Sequence, residues 1–237
     1  MAKLLLSILG WGEMINIPED IPDKIILLFS HTEIMDFYLI QLYKMAGYFD
    51  NIKDRLKILA SYESVRPFFT RFNMNESNML WVIQSDKGNT ERITNELNKL
   101  DKFILFVGPK GSCEKIEWKK GWYHIAKATH TNYVCVAGLD FMEKKIKVIG
   151  GVQDISHYYN SVLETENGGP PIELIKKLKN QMSYIVPKRT KEEELSVDVG
   201  DVTIIPFYND TFLFIIILTM IIILIAVVIL FTFYLQI

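Results

Sequence analysis

His31 and Asp36 follow directly on the apolar run Lys24-Ile-Ile-Leu-Leu-Phe29, with Thr32, Glu33, Ile34 and Met35 between them. A carboxylate on one imidazole nitrogen fixes the tautomer and raises the basicity of the other nitrogen, which makes a general base for deprotonating a hydroxyl. Mid-helix, the two side chains would point about 140° apart, at about 100° per residue. With His31 on the loop before a helix and Asp36 in its first turn, the ring can fold over that turn to the carboxylate. The same spacing also suits a histidine that caps a helix or fills a core. A second group is Val107-Gly-Pro-Lys-Gly-Ser112. A glycine-rich turn at a strand end exposes backbone N–H groups that can hold phosphate, with Lys110 adding charge and Gly111 and Ser112 completing the turn. An ordinary Pro-Lys-Gly turn has the same composition. Cys113 follows, with no neighbouring histidine in sequence to activate it as a nucleophile. His124 reads as structural or surface, His130 and His157 as solvated.

Elements must position these residues. The run 24–29 is continuous rather than alternating, as in a strand buried on both faces of a parallel sheet. Apolar residues over 33–46 then recur with helical spacing, with Thr32 as N-cap and Gly47 as terminator. Further strands are expected at 79–83, 102–107 and 133–137, and an alternating, less buried edge strand at 144–149. Helices are expected at 89–100 and 121–129, and from Pro170 and Pro171 to about residue 183. Strands alternating with helices predict an α/β domain with a largely parallel sheet flanked by helices.

Residues 211–235 carry no charge, proline or glycine. At about 1.5 Å per residue they would span roughly 37 Å as a helix, more than a hydrocarbon core of about 30 Å. One C-terminal transmembrane helix is therefore expected, inserted as a tail anchor. Lys188, Arg189 and Lys191 lie upstream and nothing basic beyond, so the bulk domain is expected in the cytosol. The expected organisation is a domain over 1–186, a charged tether over 187–209 and the anchor over 210–237. A net charge of −2 gives a nucleic-acid partner no electrostatic support. The two cysteines make neither a disulfide framework nor a metal site. The short apolar start at 1–10 lacks a signal-peptide cleavage site. The anchor has no small-xxx-small pattern, so oligomeric state is left open.

Taken together, the pieces resemble the glycerolipid acyltransferases that acylate lysophosphatidic acid, in particular their small bacterial-type members. The likeness runs over about residues 8–152. It is carried by the His-x4-Asp pair, the strand followed by Gly-Pro-x-Gly-Ser, and the block Glu117-Trp-Lys-Lys-Gly-Trp-Tyr-His-Ile-Ala126. Leu9-Gly-Trp-Gly-Glu13, Leu139-Asp140-Phe141 and 146–151 also match. The resemblance implies that His31 takes the proton of a lysophospholipid hydroxyl, that Asp36 orients His31, and that the alkoxide attacks an acyl-coenzyme A or acyl-carrier-protein thioester. It implies no bound cofactor or metal. Pro109, Lys110, Gly111 and Ser112 would hold the glycerol phosphate. This chain departs from the pattern in carrying Lys110 where the family has glutamate and Cys113 where it has arginine. The family's basic residue at the second strand end falls near Ser85, where Lys87 is the closest cation. Lys110 and Lys87 could serve as point charges for phosphate. The altered block supports, as the alternative, a degenerate relative that binds lipid or scaffolds a membrane without catalysis; a tail-anchored protein-interaction platform is a third reading.

Overall fold

The computed structural model describes residues 2–12, 21–30, 34–71, 75–110, 117–159, 165 and 168–185. The tether and the apolar run at 211–235 lie outside them. Among the described residues, no helix is long and apolar enough to cross a membrane.

A mixed six-stranded sheet in the order β3-β2-β4-β1-β5-β6 forms the centre. Its strands are β1 (Lys24–Ser30), β2 (Leu56–Ser61), β3 (Met79–Val82), β4 (Phe103–Val107), β5 (Tyr133–Asp140) and β6 (Lys145–Asp154). All neighbouring pairs are parallel except β5 with β6. The helices are α1 (Ala2–Ile8), α2 (Ile34–Met45), α3 (Tyr62–Arg71), α4 (Asn89–Leu97), α5 (Gly121–Ala128) and α6 (Ile172–Met182).

β1 is covered on both faces, which accounts for its unbroken apolar sequence. Ile25, Leu27 and Phe29 join one core cluster with Leu6, Phe37, Tyr43 and Phe69 of α1, α2 and α3. Ile26 and Leu28 join the other with Ile93, Leu97, Trp122, Tyr123 and Leu174 of α4, α5 and α6. The division follows from handedness. From β1 the chain moves outward to β2 and β3; from β3 it returns to β4 and then crosses to β5. Right-handed crossovers in opposite directions put their helices on opposite faces.

Gly47 ends α2 at φ +81. Its N–H donates to the Lys44 carbonyl at 3.0 Å, and the Tyr48 N–H reaches back to Tyr43 at 3.1 Å. These are the paired bonds of a Schellman cap. Gly138 lies inside β5 opposite Ser30. A Cβ there would sit 2.8 Å from the Ser30 Cβ, so glycine is what lets β5 close on the end of β1.

Three features differ from expectation. β2 and α3 form where the sequence reading assigned nothing. α3 contains Pro67, a residue that normally interrupts a helix by removing a donor and crowding the preceding turn. The edge strand runs on to Asp154 with a shift in register between Val134 and Val136. Thr32, the expected cap of α2, lies outside the described residues.

Candidate active site

β1 and β4 are neighbours, with Leu28 level with Val107. From β1 the chain passes to α2 on one face; from β4 it passes to α5 on the other. This divergence is a topological switch point, and in open α/β sheets ligands bind in the crevice it leaves at the carboxyl ends of the strands. Both predicted halves of the site enter from this point: the segment beginning at His31 follows Ser30, and the Pro-Lys-Gly-Ser turn follows Val107. His31, Gly111 and Ser112 themselves lie outside the described residues.

Asp36 occupies the first turn of α2 and is 1% exposed. The partial positive charge of a helix N-terminus favours a carboxylate in that turn. Lys110 is half-buried, just past the buried Pro109. The loop it opens is closed at its base, because the Lys119 N–H donates to the Pro109 carbonyl at 2.7 Å. Beyond it, Trp122 and Tyr123 are almost fully buried and dock α5 on the sheet, with Trp118 edge-on to Trp122 at 6.5 Å. Tyr123 also donates to the Tyr158 carbonyl at 3.0 Å. The aromatic block thus holds the helix that receives the Lys110 loop.

Lys87 is placed differently. It is exposed on the turn between β3 and α4, and β3 is separated from β4 by β2. At about 4.8 Å per strand step, the end of β3 is about 10 Å from that of β4. The turn is braced by Asn89, whose side chain accepts from the Ile83 N–H at 2.9 Å and donates to the Ile83 carbonyl at 2.6 Å. Lys87 lines a groove of about 680 Å³ between α4 and α5, away from the ends of β1 and β4.

The same end of the sheet holds charged groups that sequence reasoning gave no role. β5 continues past Gly138, the partner of Ser30, to Asp140, which is fully buried and paired with Lys147 at 2.7 Å. Glu143 binds both Lys145 and Lys147. Those lysines hold its carboxyl below the usual carboxylate range, while Asp140 and then Glu143 raise the Lys147 amine. Glu63 in the first turn of α3 accepts the Gln84 N–H at 2.8 Å, a bond that lowers its titration. The usable signal for Asp140 was a lone carboxylate in an apolar run, answered by alternating lysines on the next strand. Among the described residues, no group of three or more His, Cys, Asp or Glu side chains could hold a metal ion.

Of the remaining candidates, His130 and His157 are exposed and His124 is half-buried in the α4–α5 groove. Cys135 is buried at the centre of the sheet, where burial pushes its thiol up to about 11, so it is no nucleophile. Cys113 lies outside the described residues. Comparison with protein-family models, curated proteins and solved structures gives no match to this chain.

Proposed function

We propose that the chain is a membrane-anchored acyltransferase that moves a fatty acyl group from an acyl thioester to a hydroxyl of a lysophospholipid such as lysophosphatidic acid. The observation that carries this reading is topological. The histidine-bearing segment and the phosphate-type turn, far apart in sequence, leave adjacent strands β1 and β4 and depart to opposite faces. The placement of Asp36 in the first turn of α2 is also what the base-and-orienter arrangement needs.

In this reading His31 takes the proton of the acceptor hydroxyl, while Asp36 fixes its tautomer and stabilises the imidazolium that forms. The alkoxide oxygen bonds to the thioester carbonyl carbon. The tetrahedral intermediate collapses with cleavage of the carbon–sulfur bond, and the departing thiolate takes the proton back from His31. Lys110, Gly111 and Ser112 bind the acceptor phosphate. The apolar run at 211–235 serves as the anchor, with the bulk domain facing the cytosol. Such an anchor confines the domain to the headgroup layer where the acceptor hydroxyl lies and raises its effective concentration there.

The decisive measurement is transfer from labelled acyl-coenzyme A, and from acyl-carrier protein, to a panel of lysophospholipids. His31→Ala is expected to abolish turnover while the chain stays folded and membrane-bound. Asp36→Asn is expected to lower turnover by about 10²–10⁴-fold through loss of the orienting charge. Undiminished transfer by the His31 variant would remove the mechanism. The second reading, a degenerate lipid-binding relative, is favoured by Lys110 and Cys113 replacing the glutamate and arginine of the resembled family. It predicts lysolipid binding without transfer from either donor.

A further inference from the structure

Large apolar side chains that stand in solvent are concentrated in one region of the described residues. Leu4 and Ile8 lie one turn apart on the outer side of α1 and are 62% and 70% exposed. Met45 ends α2 and Met142 lies on the turn between β5 and β6; they are 68% and 73% exposed. These three elements touch. At the start of α1 the Lys3 amine lies 5.6 Å from the centre of the Tyr48 ring, just past the end of α2. At its other end the Lys144 amine donates to the Leu9 carbonyl at 3.2 Å, and the Gly12 N–H donates to the Lys144 carbonyl at 2.8 Å. Trp11 also meets Phe141 edge-on at 5.1 Å. α1 thus bridges the elements that carry the two methionines. A single exposed leucine is ordinary, whereas apolar side chains grouped on adjoining elements mark an interaction surface. Lys3, Lys44 and Lys144 border the group. Among the described residues the exposed acidic groups beside them are Asp50 and Glu143, and Glu143 is bound by Lys145 and Lys147, so the border is net positive.

We propose that this surface lies on an anionic lipid bilayer. The proposal rests on the anchored part of the acyltransferase reading and adds the face by which the domain meets the membrane. An apolar stripe bordered by lysines matches the boundary between headgroups and acyl chains: the leucine, isoleucine and methionine side chains enter it and the amines meet lipid phosphates. The anchor makes contact frequent without choosing the face. Ile185 and Thr211 are about 25 residues apart, a length that reaches up to roughly 90 Å. A folded body of about 185 residues is roughly 40 Å across. Every face can therefore reach the bilayer, and surface chemistry decides between them. Ile172 and Tyr184, which are also exposed, lie on or just after α6, whose buried residues pack on the other face of the sheet. The chosen face has a consequence for the site. β5 runs parallel to β1, so the β5–β6 turn lies at the end of the sheet from which the His31 segment leaves. Docking by this surface holds that end at the headgroup layer.

The test uses the full chain with vesicles of phosphatidylcholine, alone or mixed with phosphatidylglycerol, in a Cys113→Ser background where Cys135 is buried. A fluorophore is attached through Ile8→Cys, through Met142→Cys or, on the far side of the sheet, through Ile172→Cys. Its burial is read with a quencher carried on the lipid chains. Quenching is expected at positions 8 and 142 and not at 172, and it should strengthen with anionic lipid. Read at position 142 on anionic vesicles, Lys3→Glu should lower the ratio of docked to undocked chains by about fivefold. Leu4→Glu should lower it by about tenfold or more through the lost apolar contact, with circular dichroism melts confirming that the fold is kept. No quenching at 8 and 142, quenching at 172 in their place, or indifference to both substitutions overturns the proposal. Shielding of position 8 from aqueous iodide without quenching from the lipid means that a protein covers the surface, and it overturns the bilayer assignment. Carbonate extraction scores the anchor separately. A chain that resists carbonate while α1 stays in water keeps the anchor and loses the docking. A chain quenched at position 8 that carbonate then strips keeps the docking and loses the anchor.

Discussion

His130 ends α5 in the left-handed region, at φ 51, with its side chain in solvent. Its N–H donates to Lys127, and the Thr131 N–H reaches back to Ala126 at 2.9 Å, the same cap that Gly47 makes for α2. A residue with a Cβ is disfavoured in this conformation by roughly 1–2 kcal/mol. His130→Gly is therefore expected to raise stability by about 1 kcal/mol, since relief of that strain exceeds the entropy glycine adds to the unfolded chain. Urea unfolding checks it, and an unchanged or lower midpoint would refute it. The capping geometry at Gly47 was legible because glycine after a helical pattern is a stop signal; histidine at the equivalent place carries none. Asp36 was legible for a related reason. The helical pattern that follows the buried strand begins near residue 33, which puts position 36 in its first turn, and Asp36 lies in that turn. Lys87 was assigned to phosphate from its nearness in sequence to a strand end. Sequence gives no strand order, so its offset from β4 was invisible.

Between elements, the turn from β5 to β6 is held by a charge cluster that sets a working range of pH. Asp140 is fully buried and Lys147 mostly so. Removing one partner of such a pair leaves an uncompensated charge in the interior, at a cost of about 3–5 kcal/mol. Lys147→Ala is expected to destabilise by that amount, whereas Lys145→Ala, which removes a contact only from the more exposed Glu143, should cost far less. The pH dependence has two edges. The raised amine of Lys147 contributes stability that is complete below its ordinary value of 10.5 and is lost as pH rises through the elevated one. The lowered carboxyl of Glu143 contributes stability present above 4.5 and lost as pH falls through the depressed value. Thermal melts across pH should therefore lose a component at each edge, and the alkaline loss should shrink in Lys147→Ala. The remainder comes from the Tyr43 and Tyr159 phenols and the Cys135 thiol, whose titration, raised by burial, also withdraws stability at high pH. The strands most easily read were those buried on both faces, β1 and β4, because a continuous apolar run has few alternatives. β2 was missed because only Leu56 and Ile58 of its residues are buried, with Lys57 between them. α3 was missed because Arg66-Pro67 reads as a break, although Val65 and Phe69 share one buried face.

Across the molecule, the two faces of the sheet share one set of central strands, so the core is expected to open as a unit. Cys135 on β5 is 2% exposed and belongs to the cluster under α2, while Val134 and Val136 on either side belong to the other. With the thiol both shielded and pushed up to about 11, alkylation near neutral pH requires global unfolding. In a Cys113→Ser background, labelling of Cys135 should follow the same urea dependence as the loss of circular dichroism; labelling ahead of it would reveal a separately unfolding half. The segment that begins at Lys110 leaves this cooperative body at one point and rejoins it at another. Its two ends meet where the Lys119 N–H donates to the Pro109 carbonyl, and each end is continuous with a firmly packed element, β4 on one side and α5 on the other. Loop closure costs rise only slowly with length, so this stem can accept segments of other lengths and sequences without re-threading the sheet. The protein therefore carries a natural cassette at the carboxyl end of β4, where one segment can be exchanged for another while the frame that presents it is inherited unchanged.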